Sequence, residues 1–251
     1  MVKPKVSCVV ATKNRGHLIK GMLMSLKHQI LKDWECIIIE DMCEDWTTFV
    51  IGTIADGRIK NYANDGKGKS RAMNMAKEYI NGDYVCVFDD DDIMMPCKLD
   101  VSYKMMEETG ADFGYSARFT HLLNNQITYT PTKPFDMELF LERPFIGFGS
   151  VVTTKDLFME IDFDEDMPAS LDFDWIGRCA LAGAKMAYTD IPLYVWRNHL
   201  GSITFNSNIL QRTFYDKSKG VIERKWKRMK KPKNEVVKWP NGCKQAGSGK
   251  A

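Results

Sequence analysis

Apolar positions in the first hundred residues follow two alternating rhythms. The short runs "KVSCVVAT" (5–12), "WECIIIED" (34–41), "RIKNYA" (58–63) and "DYVCVFDD" (83–90) predict strands. Three of them are nearly continuous in apolar residues, the pattern of strands buried on both faces. Between them lies "HLIKGMLMSLKHQI" (17–30), with Leu18, Met22, Leu23, Leu26 and Ile30 at helical spacing. The segments 46–55 and 70–80 also predict helices. Strand and helix in strict alternation give an α/β fold with a mostly parallel sheet flanked by helices. In such sheets ligands collect at the carboxyl ends of the strands. Those ends carry "ATKN" (11–14), "IEDMCED" (39–45) and "DDDD" (89–92).

The rhythm changes after the hundredth residue. "DFGYSARFTHLL" (112–123) and "NQITYTP" (125–131) predict a strand pair turning at Asn124 and Asn125. "MELFLE" (137–142), "LDFDWIGRCALAG" (171–183) and the segment after Asn208 predict helices, and "KMAYTD" and "PLYVWRN" two further strands. No internal repeat or low-complexity linker divides the 251 residues, so one domain with two halves is the economical organisation.

Composition adds constraints. A net charge of +2 with 44% hydrophobic residues excludes a disordered chain. The charge is uneven, however. Residues 217–238 hold ten Lys/Arg against two Glu, so a basic C-terminal segment is attached to an acidic body. Its residues Ile222, Trp226 and Met229 share one helical face, which leaves the cations on the others. Such a helix is either a solvated surface or an attachment to anionic lipid, with nucleic acid a weaker alternative. The seven cysteines are odd in number and form no C-x-x-C pair. That is the usage of reduced thiols in the cytoplasm. No apolar run reaches the ~18 residues of a membrane span, and the N-terminus has no secretory pattern.

The densest chemistry is "FDDDDIMMP" (88–96), four carboxylates at the end of an apolar strand. A helix cap needs one Asp, whereas hard divalent cations need several oxygens. EF-hand spacing is absent, so Mg²⁺ or Mn²⁺ completed by a phosphate fits better than a caged Ca²⁺. "GKGKS" (66–70) ends like a P-loop, but position 63 is Ala where that motif requires Gly. It still opens a helix, where backbone N–H groups and Lys69 or Arg71 can approach a phosphate.

Taken together, "VSCVVATKNRGHLIKGMLMSLKHQ", "WECIIIEDMCED" and "GKSRAMNMAKEYINGDYVCVFDDDDIMMP" resemble the nucleotide-binding half of family 2 glycosyltransferases. "GFGS", "LDFDWIGR" and "PLYVWRNHLGSIT" resemble later elements of that family, so the likeness runs from about Val6 to Thr204. The resemblance implies a GT-A (Rossmann-like) fold with a smaller, mixed acceptor-side half. It implies a domain over 1–206, with a nucleotide-sugar half (1–98) and an acceptor half (99–206). A basic helical segment (207–238) and a disordered tail (239–251) complete the expectation.

By position, Ala11, Thr12, Asn14, Asp41, Ser70, Asn74, Asp89 and Asp90 are implied to bind the nucleotide-sugar, Asp41 through the base. Ala72 belongs to the same helix-start motif. Asp89, Asp91 and His199 are implied to hold Mn²⁺ or Mg²⁺, with Asp92 beside them. Asp172 takes the place of the general base. Gly149 and Ser150 of the Gly147–Ser150 loop, with Trp175, fall on the acceptor side. The chain departs from the family pattern at Glu40, Met42, Cys43, Met73 and Leu171. The implied reaction is inverting sugar transfer from a nucleoside diphosphate, preferably UDP, to a hydroxyl of a glycan, glycolipid or other acceptor. The implied location is cytoplasmic, with peripheral contact at the inner face of the membrane through the basic segment. A sugar nucleotidyltransferase and a catalytically silent binding module are the alternatives, and intact Asp89, Asp91 and Asp172 weigh against the second.

Overall fold

A computed structural model describes residues 3–66, 68–201 and 208–240. Strands β1 (Val6–Thr12), β2 (Trp34–Asp41), β3 (Ile59–Asn64) and β4 (Tyr84–Asp89) form the parallel part of one ten-stranded sheet. Helices α1 (Gly16–Lys27), α2 (Thr47–Thr53) and α3 (Lys69–Ala76) connect them. β1 lies between β2 and β4, so the strand order reverses there. β2 is buried along its whole length, as a sheet covered on both faces requires. Val9, Ile37, Ile39 and Val87 enter one core layer, and Cys8, Val10, Ile38 and Phe88 the other.

After the short β5 (Ile93–Met94) and α4 (Lys98–Thr109) the sheet becomes mixed. It is completed by β6 (Phe113–His121), β7 (Ile127–Thr130), β8 (Val152–Thr154) and β9 (Met186–Arg197). β8 pairs antiparallel with both β4 and β6 and so joins the two halves into one sheet. α5 (Met137–Glu142) is capped by Asp136, α6 (Lys155–Glu160) by Thr154, and α7 (Leu171–Leu181) packs against α8 (Asn208–Arg228).

Several expectations are corrected. On α1 the core face is Ile19, Met22, Leu23 and Leu26; Ile30 lies past the helix end and is exposed, and Leu18 is only partly covered. The two strands expected over 185–198 are one, β9, whose register with β6 shifts between Ser116 and Phe119. The basic segment is helical only to Arg228, then returns as β10 (Val236–Lys238) beside β9. Trp239 begins the expected disordered tail, yet it is buried, and its indole donates to Glu108 at 2.7 Å. Residues 241–251, like Ser202 to Thr204 at the end of the motif likeness, lie outside the described residues.

Cys8, Cys36 and Cys86 sit at matching register on β1, β2 and β4, buried and not joined by disulfides. Among the described residues no helix is long and apolar enough to cross a membrane.

Candidate functional site

Because β1, β2 and β4 are parallel and in register, their carboxyl ends open at one edge. Ala11 faces Asp89, and Thr12 faces Glu40. A cleft of about 530 Å³ lies there. Its walls include Ala11, Thr12, Asp41, Asp89, Asp90 and Asp91 from the strand ends, with Asp172 from the start of α7. Lys13, Arg15, Lys69, Phe148 and Trp196 complete much of the rest.

The four adjacent aspartates have four different surroundings. Asp89 is ion-paired with Lys69. Asp90 is almost buried, and burial together with the charge of Asp91 raises its pKa to about 7. Asp91 places Oδ2 3.0 Å from His199 Nε2. Asp92 is fully buried; its Oδ1 accepts from the Arg197 backbone N–H at 2.9 Å, and its Oδ2 has no hydrogen-bond partner. Burial and the charges of Asp89 and Asp91 push the Asp92 carboxyl well above its ordinary range. The Arg197 guanidinium donates to the Asp91 carbonyl, so the end of β9 is tied to the acidic turn twice. The charges of Arg15, Lys69 and Arg197 offset part of the repulsion in this run of four carboxylates.

No three His, Cys, Asp or Glu side chains among the described residues already form a metal cage. Mg²⁺-type sites, however, need only one or two protein ligands, with substrate phosphates and water supplying the rest. Asp91 on the cleft's acidic wall and His199 beside it, an oxygen and a nitrogen donor 3.0 Å apart, fit that demand.

Asp172 is the first acidic residue of α7, which starts from Ser170 in a left-handed conformation (φ 58°). Burial raises its pKa, while the Phe173 backbone N–H and the charge of Lys69 oppose the shift. Asp174, two positions further along the helix, faces the other direction. It accepts from Arg178 Nε at 2.7 Å and from Ser218 Oγ on α8 at 2.7 Å. Asp41 is held as well, by Asn64 Nδ2 at 2.9 Å, the Gly68 N–H at 3.2 Å and Lys13 Nζ at 3.2 Å. The helix-opening loop is therefore docked on the carboxylate at the end of β2.

Other sequence-nominated residues serve this cleft from behind. Asn14 (φ 52°) accepts from the Glu44 N–H at 2.8 Å and joins two strand-end loops. Ser70 is buried and donates to the Met167 carbonyl at 3.2 Å. Asn74 donates to the Phe163 carbonyl and to Glu165, both at 2.9 Å, and accepts from the Phe163 N–H at 2.8 Å. These two position the loop leading into α7. Gly149 and Ser150 are buried in a 3₁₀ turn, where Lys98 Nζ donates to the Gly149 carbonyl at 2.8 Å. Trp175 is corrected outright: it is fully buried, stacked on Phe163 at 4.7 Å between ring centroids, and belongs to the core rather than to an acceptor surface.

Sequence reasoning missed Lys13, Arg15 and Phe148 as cleft residues; Trp196 lines the cleft as well. For the first two a signal existed, since they directly follow a strand whose carboxyl end was already expected to face ligand. Phe148 and Trp196 reach the cleft only through long-range pairing, and no local pattern marks them.

The sequence model described as "Glycosyl transferase family 2" matches residues 7–162. "UDP-Glc:alpha-D-GlcNAc-diphosphoundecaprenol beta-1,3-glucosyltransferase WfgD" of Escherichia coli is 28% identical over 161 residues, covering 63% of this chain and 63% of that protein. The chain thus spans less than two thirds of that relative's length. Among solved structures, S. aureus TarS 1-349 in complex with UDP-GlcNAc aligns with a TM-score of 0.74 at 16% identity, covering 88% of this chain and 66% of that one. Mannosyltransferase PcManGT from Pyrobaculum calidifontis, in complex with GDP-Man and Mn2+, aligns with a TM-score of 0.67 at 15% identity, covering 93% and 66%. At these identities the structures speak for the fold, GT-A, in agreement with the mixed sheet and its flanking helices. The matched sequence model spans β1 through α6, including the ends of β1, β2 and β4 at the cleft, and the chain belongs to glycosyl transferase family 2.

Proposed function

We propose that this protein is an inverting glycosyltransferase, moving a sugar from a nucleoside diphosphate, UDP preferred, to an acceptor hydroxyl. One observation carries the reading: Asp172 shares a single cleft with Asp41, Asp89 and Asp91 at the carboxyl ends of the parallel strands. The nucleoside is assigned to the Asp41 side and the diphosphate to the Asp89–Asp91 side. Asp91 and His199 would hold Mn²⁺ or Mg²⁺, which when bound supplies Lewis-acid stabilisation of a diphosphate leaving group. Asp172 takes the proton of the attacking hydroxyl. Its raised pKa makes it a stronger base than an exposed carboxylate, and such a base contributes roughly 10²–10⁴-fold. Trp196 and Phe148 offer flat apolar walls to a sugar and keep water from the reacting carbon.

The acceptor assigned is a lipid-linked diphosphate sugar, the class named for the similar E. coli enzyme. α8 buries Ile222 and Trp226 and leaves its cations outward, a face suited to an anionic membrane on the cytoplasmic side. The domain division proposed is a nucleotide-sugar half through residue 98 and an acceptor half through residue 206, with the basic segment attached.

The test is a screen of UDP- and GDP-sugars for nucleoside diphosphate release, with the product's anomeric configuration read by NMR. An inverted product, and a loss of ~10²–10⁴-fold in Asp172→Asn, are expected. A retained anomeric configuration, or release of pyrophosphate in place of the nucleoside diphosphate, would overturn the mechanism.

A further inference from the structure

Lys69 is the first residue of α3. A cation there opposes the helix dipole, whose amino end favours negative charge, so helix stability does not explain its presence. Gly68 before it has φ 90° and ψ 178°, a conformation that few other residues adopt, and it turns the chain so that Lys69 enters the cleft. Arg71, the other cation in that first turn, pairs with Glu165 at 3.5 Å, outside the cleft walls. Met73 is buried in the core. Lys69 is therefore the one cleft-lining cation that α3 contributes.

Its ammonium is ion-paired with Asp89 and lies 4.7 Å from the centre of the Phe148 ring. The charges of Asp172 and Asp90 also act on it. Lys69 is thus set between the acidic turn at the end of β4 and the carboxylate at the start of α7. The remaining cleft cations have other direct partners, Lys13 the Asp41 carboxylate at 3.2 Å and Arg15 the Gly201 carbonyl at 3.1 Å, although the charge of Arg15 also acts on Asp90.

We propose that Lys69 is a catalytic cation of the donor site: its ammonium contacts the donor diphosphate and carries part of the leaving-group charge, with Asp89 serving as its holder rather than as a free metal ligand. The inference rests on the donor-site reading above. In this chain the metal's protein ligands reduce to Asp91 and His199, and Lys69 supplies a positive charge that does not depend on metal supply. Lys69 remains an ammonium throughout; it accepts hydrogen bonds from nothing and gives up no proton. When the diphosphate leaves, the ammonium returns to Asp89.

The two halves of the claim give opposite signs on removing the lysine, which a merely structural role would not. Calorimetric titration of UDP and GDP is carried out on wild type, Lys69→Met and Lys69→Arg, first in EDTA and then across a Mn²⁺ series. Wild type is expected to keep measurable nucleotide binding in EDTA. Lys69→Met is expected to lose it by about tenfold or more, the worth of one charge-assisted hydrogen bond, while Lys69→Arg stays close to wild type. In the Mn²⁺ series Lys69→Met should reach half-saturation at a lower Mn²⁺ concentration than wild type, because Asp89 is released to the metal. Equal affinity of Lys69→Met and wild type in EDTA, or a Mn²⁺ midpoint moved upward in the variant, overturns the role of Lys69 and leaves the donor-site reading intact. Absence of UDP and GDP binding by wild type in every condition overturns both. Thermal melts of the three proteins verify that each is folded; Lys69→Arg alone retaining metal-free binding decides for charge if Lys69→Met is unstable.

Discussion

Asp172 and Asp174 stand two residues apart on α7 in different surroundings, Asp172 on the cleft and Asp174 against Arg178 and Ser218, and the proposed function gives them separable duties. Replacing Asp174 with Ala removes the acceptor for Arg178 Nε and for the Ser218 hydroxyl, each at 2.7 Å, and Ser218 is buried. Breaking a fully buried ion pair costs about 3–5 kcal/mol. The Arg178 side chain is 25% exposed and the Asp174 side chain 9%, so solvent screening reduces this to about 2–3 kcal/mol. For a chain of this size each kcal/mol lowers Tm by ~2–4 °C, which puts the drop at roughly 5–10 °C. The α7–α8 contact should loosen with it. Asp172→Asn behaves in the opposite way. The amide fits the same space and cannot ionise, so the burial that disfavours the Asp172 carboxylate no longer applies, and Tm at pH 7 should equal or exceed that of wild type. Transfer should nevertheless fall ~10²–10⁴-fold. The assay pairs thermal melts with steady-state transfer measured well below the lowest Tm. An Asp174→Ala protein that melts like wild type would refute the bridging role. Folded Asp174→Ala that loses as much turnover as Asp172→Asn would refute the division of labour.

Further outcomes follow from the acidic turn and its supports. Gly149→Ala brings a methyl group within 3.0 Å of Tyr194 Cε2 and 3.3 Å of Asp92 Oδ2, so a ring or a buried carboxylate must yield. A loss of about 1–3 kcal/mol in denaturant melts is expected, and an unchanged midpoint would contradict the packing described. Asp90 has a folded-state pKa near 7, above its ordinary 3.8, so in metal-free protein the native state holds a proton that the unfolded chain has released between those values. Its contribution to stability therefore falls as pH rises through that window. In EDTA, Asp90→Asn should match wild type near pH 4, gain in Tm relative to it up to about pH 7 and level off above; a difference independent of pH across that window would exclude this.

Three of the four parallel strands, β1, β2 and β4, were legible because burial on both faces leaves nearly continuous apolar runs, and "DDDD" was legible because no solvated cap needs four carboxylates. The helix α1 was found, but its face was drawn too wide: Ile30 repeats the spacing only after the helix has ended. Motif spacing located Ser70, Asn74 and Trp175 without showing which way each side chain turns. In a helix each position rotates a side chain by about 100°, which is why Asp174, two positions on, meets Ser218 of α8 while Asp172 meets the cleft. Lys69 was visible as a charge at a helix start expected to approach a phosphate, yet its partner Asp89 lies twenty residues away at the end of β4. The return of the C-terminus as β10, with Trp239 buried behind it, depends on an edge that only the assembled sheet provides.

The central claim is that the cleft at the ends of β1, β2 and β4 takes a nucleoside diphosphate, with its metal held at Asp91. The most direct measurement is calorimetric binding of UDP in the presence of Mn²⁺ to wild type and Asp91→Asn. Binding strengthened by Mn²⁺ in wild type, with that gain abolished in Asp91→Asn, is the predicted result. Binding of equal strength in the two proteins, or no binding of UDP or GDP to wild type, would contradict it.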